Sequence, residues 1–181
     1  MNLKSTEALK EDSKILYSLM LIIIFVSMGQ SVYWQTMPII GRELGFSEME
    51  INTVVSISAA MFVIFTPFWG KLSDRIGRKS VLLVGLTGYV LSNIIFLYSA
   101  SIGLLGYVSG FFLLFILLVS RIINSAVGGA SRPATGAYVA DVTSLEERSS
   151  GMGKFGAANN IGTILGPVLV GSIIGINIFN F

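Results

Sequence analysis

The chain has no cysteine and no histidine. The first absence excludes a disulfide framework and a thiolate metal site. The second removes histidine-based acid–base chemistry and most zinc sites. Charge is scarce as well: Asp, Glu, Lys and Arg make up 12% of the 181 residues, against roughly 25% in soluble domains. No phosphate-cradling glycine loop with its lysine is present, so ATP-driven transport is not expected. No nucleophile–base constellation is present either, so the chain does not read as an enzyme, and no cofactor or metal is expected. What fills the space is apolar: hydrophobic residues supply 53% and mean hydropathy is +0.78. That is too apolar for a soluble globule and far too rich in Leu, Ile, Val and Phe for disorder. The fold class is an all-α integral membrane protein.

A bilayer core about 30 Å thick takes about 20 helical residues to cross. The charge-free runs are 27 residues between Lys14 and Arg42, 20 between Glu50 and Lys71, 41 between Lys79 and Arg121, and 27 after Lys154. They predict about five transmembrane helices, at 15–37, 50–69, 80–100, 110–140 and 149–176, after an N-terminal tail at 1–14. An alternative puts the fourth at 102–120. The small and polar residues Asn124, Gly128, Gly129, Ala137 and Val139 favour the longer helix. Ser47 with Glu50, and Ser144 with Glu147, are spaced as capping boxes before the second and fifth helices. Pro38 suits an exit turn after the first. A signal peptide over 10–28 fits less well, because the apolar run continues to Met37 without a small-x-small cleavage site.

Lys and Arg set the orientation. With the N-terminus in the cytoplasm, Lys4, Lys10, Lys14, Lys71, Arg75, Arg78, Lys79, Arg148 and Lys154 are inside. Arg42 is outside among Glu43, Glu48 and Glu50. Net charge of +2 therefore reports topology and does not point to nucleic acid.

Residues 70–79, GKLSDRIGRK, form the tight connection between the second and third helices. Gly70 and Gly77 permit sharp turns. Asp74 suits a cap or an arginine partner. Arg75, Arg78 and Lys79 hold the loop at the anionic leaflet. A plain basic turn accounts for the cations but not for Asp74 or the flanking glycines. The segment resembles the signature GxLxDRxGRK of the major facilitator superfamily, matching at Gly70, Leu72, Asp74, Arg75, Gly77, Arg78 and Lys79. Pro38, Phe68-Trp69 and the segment 43–47 also resemble that family. The resemblance implies a cytoplasmic charge latch in which Asp141 pairs with Arg78, and Asp74 and Arg148 join the network. The alternative is ordinary surface charge, worth about 0–1 kcal/mol per pair.

Arg121 falls inside the fourth helix. A mid-membrane arginine costs about 2.5–3.5 kcal/mol on insertion scales and normally faces a cavity or a partner. Arg121, Asn124, Ser125 and Gly128 share one helix face. The competing reading ends the helix early and lets Arg121 snorkel. The segment resembles the family's fourth-helix arginine motif, with Asn124 and Ser125 in place of Gln-Gly, which implies a role in substrate or proton coupling. Ser27, Gln30 and Trp34, with Tyr33 beside them, form a polar and aromatic stripe that either lines a cavity or belongs to an interfacial belt. Asn159 and Thr163 form a similar stripe on the fifth helix.

On that fifth helix, Gly162 and Gly166 permit close helix approach, and Pro167 predicts a kink. Gly153, Gly162, Gly166, Pro167 and Gly171 resemble the antiporter motif of the superfamily's drug-efflux branch. The resemblance implies secondary, proton-coupled export of a small molecule by alternating access, in a bacterial inner membrane. A sugar or organic-anion symporter is the alternative within the class. No acid lies centrally in any predicted span, so Arg121 suits an anionic or neutral substrate. Five helices fall one short of the family's six-helix half-unit. The expected partners are therefore small-molecule substrate, protons, the lipid bilayer, and a missing C-terminal bundle or second subunit. A fragment or assembly partner without transport of its own is the reading from a different class.

Overall fold

The computed structural model describes residues 3–178, with side chains over 12–172. It is built from helices: α1 (Leu3–Glu43), α2 (Glu48–Ile76), α3 (Arg78–Leu104), α4 (Gly110–Ala126), α5 (Ser131–Val142) and α6 (Arg148–Ile178). A single turn of 3-10 helix, Gly128–Ala130, separates α4 from α5. Among the described residues, four stretches are long and apolar enough to cross a membrane: Asp12–Glu43, Glu48–Ile76, Arg78–Leu104 and Gly110–Val142. The protein is an integral, multi-pass membrane protein. α6, which covers the fifth predicted span, is a further long helix of 31 residues.

The chain divides into two compact units, one of Met1–Gln35 with Thr135–Phe181 and the other of Thr36–Ala134. In the second unit, α3 turns small residues inward: Gly85, Gly88, Ser92 and Ser99 are buried. A Cβ on Gly88 would meet Val127, and one on Gly85 would run into the backbone of Ser131. Backbone contact of this kind is how membrane helices associate, since lipid leaves no hydrophobic drive between them. The large apolar side chains face out, including Val63, Phe68, Leu83, Leu91, Leu97 and Phe111. In the first unit, α6 buries Gly151, Ala158, Gly162 and Gly166 along one stripe.

Local sequence signals account for several boundaries. The Ser47–Glu50 capping box forms in full: the Glu50 N–H donates to Ser47 Oγ at 3.3 Å and the Ser47 N–H donates to the Glu50 carboxylate at 2.8 Å. Around Ser144 the box becomes a turn. The Glu147 N–H donates to Ser144 Oγ at 3.3 Å, and the helix begins after it at Arg148.

Three expectations are corrected. Pro38 does not end the first helix; α1 runs through it to Glu43. A proline removes one donor, and the bonds on either side keep the helix going. The exit comes later, where Gly45 takes φ +80 and the Phe46 N–H returns to the Gly41 carbonyl at 3.0 Å. The fourth span expected over 110–140 is found as Gly110–Val142, but its helix is not continuous: a 3-10 turn interrupts it at Gly128–Ala130. Gly70 is not at a turn: α2 continues past it to Ile76. The whole turn between α2 and α3 is Gly77, with φ 92 and ψ 148, a conformation close to the region reserved for glycine.

The two glycines of this segment should therefore respond differently. Gly77→Ala is expected to destabilise the protein by about 1–3 kcal/mol through backbone strain. Gly70→Ala meets nothing within 4 Å and gains helix propensity of about 0.5–1 kcal/mol. Thermal unfolding of the two variants in detergent measures the contrast. Equal loss in both would refute the single-residue turn.

Candidate functional site

The centre of the second unit is a buried arginine. α4 packs through Leu113 and Leu117 in its first half, then presents Ser120, Arg121, Asn124 and Ser125, all buried. Arg121 is 1% exposed, so it does not snorkel to an interface. Its NH2 donates to Asn124 Oδ1 at 3.2 Å. The Asn124 amide nitrogen donates to Ser92 Oγ on α3 at 2.9 Å, and Ser92 Oγ donates to the Tyr89 carbonyl at 3.0 Å. The guanidinium carbon lies 5.9 Å from the centroid of the Phe96 ring, within cation–π range. Asn124 accepts through its oxygen and donates through its nitrogen, which fixes the orientation of the amide. A hydrogen bond to a charged group contributes about 1.5–3 kcal/mol and a cation–π contact about 0.5–2. Both act against an insertion cost of about 2.5–3.5 kcal/mol.

A second guanidinium stands near. Arg132, at the start of α5, and Arg121 both act electrostatically on the Tyr89 phenol. Among the described residues, no His, Cys, Asp or Glu cluster could hold a metal ion.

The signature turn is a compact device. Arg78, the first residue of α3, reaches back to Asp74 on the last turn of α2, with NH1 to Oδ1 at 2.6 Å. The same NH1 donates to the buried Ser73 hydroxyl at 3.2 Å. Of the two roles open to Asp74, the arginine partner is the one found, since no side chain caps α3. Leu72 is half-buried, while Lys71, Arg75 and Lys79 are exposed. Asp141 lies on α5 and Arg148 opens α6; both are exposed and both belong to the other unit.

In that first unit, the glycine–proline segment lies on α1. A Cβ on Gly162 would land on the Ile24 carbonyl, and one on Gly166 would come within 2.7 Å of the Met28 carbonyl. Gly153 and Gly171 have nothing within 4 Å, so only the middle of the motif makes this contact. Pro167 lacks the N–H that would bond the carbonyl of Thr163, four residues back. The Ser31 hydroxyl of α1 donates to that carbonyl at 2.8 Å. Ser27 Oγ donates to Asn159 Oδ1 at 2.8 Å. Ser27, Ser31 and Asn159 thus join α1 to α6.

The predicted residues therefore fall into separate groups. Arg121 and Asn124 are together in one unit; Gln30, Trp34 and Asn159 are in the other. Gln30 is half-buried, whereas Trp34 is exposed and its neighbour Tyr33 is buried, so these two aromatics do not share a face. Sequence reasoning missed Ser92, Phe96 and Tyr89 on α3, and Ser31 on α1. The signal for the first two was the 3–4 spacing of Gly85, Gly88, Ser92, Phe96 and Ser99, which marks one close-packed face.

Comparison with known proteins adds an independent line. The family model described as Major Facilitator Superfamily matches residues 19–179. The chain is 34% identical over 168 residues to Multidrug resistance protein 2 of Bacillus subtilis, covering 92% of this chain and 39% of that protein. It is 32% identical over 148 residues to Tetracycline resistance protein, class B, of Escherichia coli, covering 80% of this chain and 34% of the relative. It is 25% identical over 149 residues to Quinolone resistance protein NorA of Staphylococcus aureus, covering 82% of this chain and 35% of that protein. The chain thus spans well under half the length of these curated relatives.

Truncating the relay tests its energetics. Asn124→Ala removes the side-chain oxygen that accepts from Arg121 NH2 and is expected to cost about 1–3 kcal/mol. Ser31→Ala, which leaves the Thr163 carbonyl without that donor, should cost a similar amount. Denaturation in mixed micelles measures both. Wild-type stability in Asn124→Ala would show that the relay does not hold the arginine.

Proposed function

The chain belongs to the Major Facilitator Superfamily, a family of transporters, and from that premise we propose that it works in secondary active export of a small molecule in exchange for protons. The observation that carries the export reading is the packing of Gly162 and Gly166 on the α1 backbone, with Pro167 next to them. These are the residues that resemble the antiporter motif. Relatives named for multidrug, tetracycline and quinolone resistance support the same direction.

The mechanism is alternating access. Two helical bundles rock around a central site near the bilayer midplane, as in other repeat-built transporters. This chain supplies helices of one bundle; the remainder comes from a C-terminal bundle or a second subunit. The protein sits in a bacterial inner membrane with its N-terminus in the cytoplasm. The Asp74–Arg78 pair serves as a latch on the cytoplasmic side; Asp141 and Arg148, in the other unit, are the further charges that the family resemblance assigns to it. Arg121, held by Asn124, is the charged group of the site in its unit; Gln30, Trp34 and Asn159 are the candidate cavity residues of the other unit, taken by itself. A buried cation of this kind suits an anionic or neutral substrate, and it favours an organic-anion symporter as the second reading.

Vesicles holding an acid interior separate these readings. Adding tetracycline or a quinolone outside is expected to draw protons out, read as recovery of acridine-dye fluorescence. Protons entering together with the compound identify a symporter. Neither movement from a correctly inserted chain rejects independent transport and leaves an assembly partner. In the latch, Asp74→Asn is expected to abolish flux while costing at most about 1 kcal/mol of stability; wild-type flux in that variant removes the latch from the mechanism.

A further inference from the structure

The break between α4 and α5 has a consequence for the arginine centre. In a continuous α-helix the Ala130 N–H would donate to the Ala126 carbonyl. Here it donates to Val127 at 3.0 Å instead, as the 3-10 turn requires. The Ala126 carbonyl accepts from the indole N–H of Trp69 on α2. Ala126 is the last residue of α4, two positions after Asn124 and five after Arg121. Trp69 is immediately before the signature segment 70–79.

The surroundings show that the break is built into the packing. Phe62, two turns before Trp69 on the same face of α2, lies where a Cβ on Gly129 would be, at 2.9 Å. From α3, the backbone of Tyr89 lies 3.0 Å from a Cβ position on Gly128. The Ser131 hydroxyl donates back to the Gly128 carbonyl at 2.8 Å. A continuous helix would lose the 3-10 bonds and disturb these contacts. In hydrocarbon, a carbonyl released from its helix must find another donor, and at Ala126 Trp69 supplies one.

We propose that Trp69 is a positioning residue for the Arg121–Asn124–Ser92 relay: its N–H bond to Ala126 ties the last turn of α4, and the arginine centre on it, to the end of α2 that leads into the signature turn. Phenylalanine at this position keeps an aromatic ring but loses the donor. The end of α4 then loosens, while the rest of the α3–α4 packing stays.

The sequence provides clean probes, since it has two tryptophans and no cysteine. In a Trp34→Phe background, the ultraviolet resonance Raman band of the indole N–H reports Trp69 alone. It is expected at its hydrogen-bonded position, and a free indole N–H would overturn the proposal. This measurement does not depend on the folding of any Trp69 variant. Single cysteines then read local opening by methanethiosulfonate labelling in reconstituted protein. Trp69→Phe is expected to speed labelling of Ser125→Cys, on α4, about fivefold, the equivalent of one net hydrogen bond. Labelling of Ser99→Cys, buried on α3, should not change. An unchanged rate at Ser125→Cys, or an equal rise at both positions, would overturn the assignment, the second because it marks general loosening. Neither measurement requires transport, so its outcome is independent of the exporter reading.

Discussion

In a bilayer interior no water is available to a carbonyl that leaves its helix, so every break in a spanning helix needs a donor from elsewhere. Among the described residues, two gaps in the helical hydrogen bonding are met this way, each by a side chain of a neighbouring helix. At Pro167 the missing N–H releases the Thr163 carbonyl, and Ser31 of α1 donates to it. At Gly128–Ala130 the shift to 3-10 bonding redirects the Ala130 N–H, and Trp69 of α2 donates to Ala126. Close-packed glycines accompany both places. Gly162 and Gly166 lie against the α1 backbone, and Gly128 lies against that of α3. Irregular backbone, close packing and helix-to-helix hydrogen bonding are thus one arrangement in each unit.

The same solvent governs the arginine. Arg121 is buried in a setting where charge is costly, and it is held by a short relay to Asn124 and Ser92 and by the face of Phe96. Such a centre needs space beside the helix axis. The small residues of α3 provide it, and the same smallness brings Ser92 within hydrogen-bonding distance of Asn124. The outward surface needs no such care, and it carries large apolar side chains on α2, α3 and α4, among them Val63, Leu91 and Phe111.

Much of the frame was legible in the residues. Charge-free runs gave helices because length and hydropathy are sufficient conditions in a membrane. The Ser47–Glu50 box and the Gly77 turn were legible because both are made by residues close in sequence. Asp74 was legible as a cap or an arginine partner; that Arg78, expected to pair with Asp141, bonds Asp74 is set by the tight turn between the two. The errors have a common origin. Pro38 and Gly70 were read by residue type, as turn formers, yet both lie inside helices, since one lost donor or one flexible residue does not outweigh the hydrogen bonds on either side. The break at Gly128–Ala130 went unread because glycine pairs are common in close-packed membrane helices, and only the contacts of Phe62, Trp69 and Tyr89 distinguish a break from a seam.

The sequence by itself determined the membrane class, the number and order of long helices, the charge bias of the connections and the family. These follow from composition and from interactions between near neighbours, which survive without knowledge of the fold. Tertiary structure alone decided which donor answers which acceptor: Ser31 for the Thr163 carbonyl across 132 residues, Trp69 for the Ala126 carbonyl across 57, and Asn124 for the Ser92 hydroxyl across 32. Helical periodicity names the face a residue occupies. It does not name the face opposite, and in a medium without competing water that opposite face determines whether a buried arginine or a broken helix is stable.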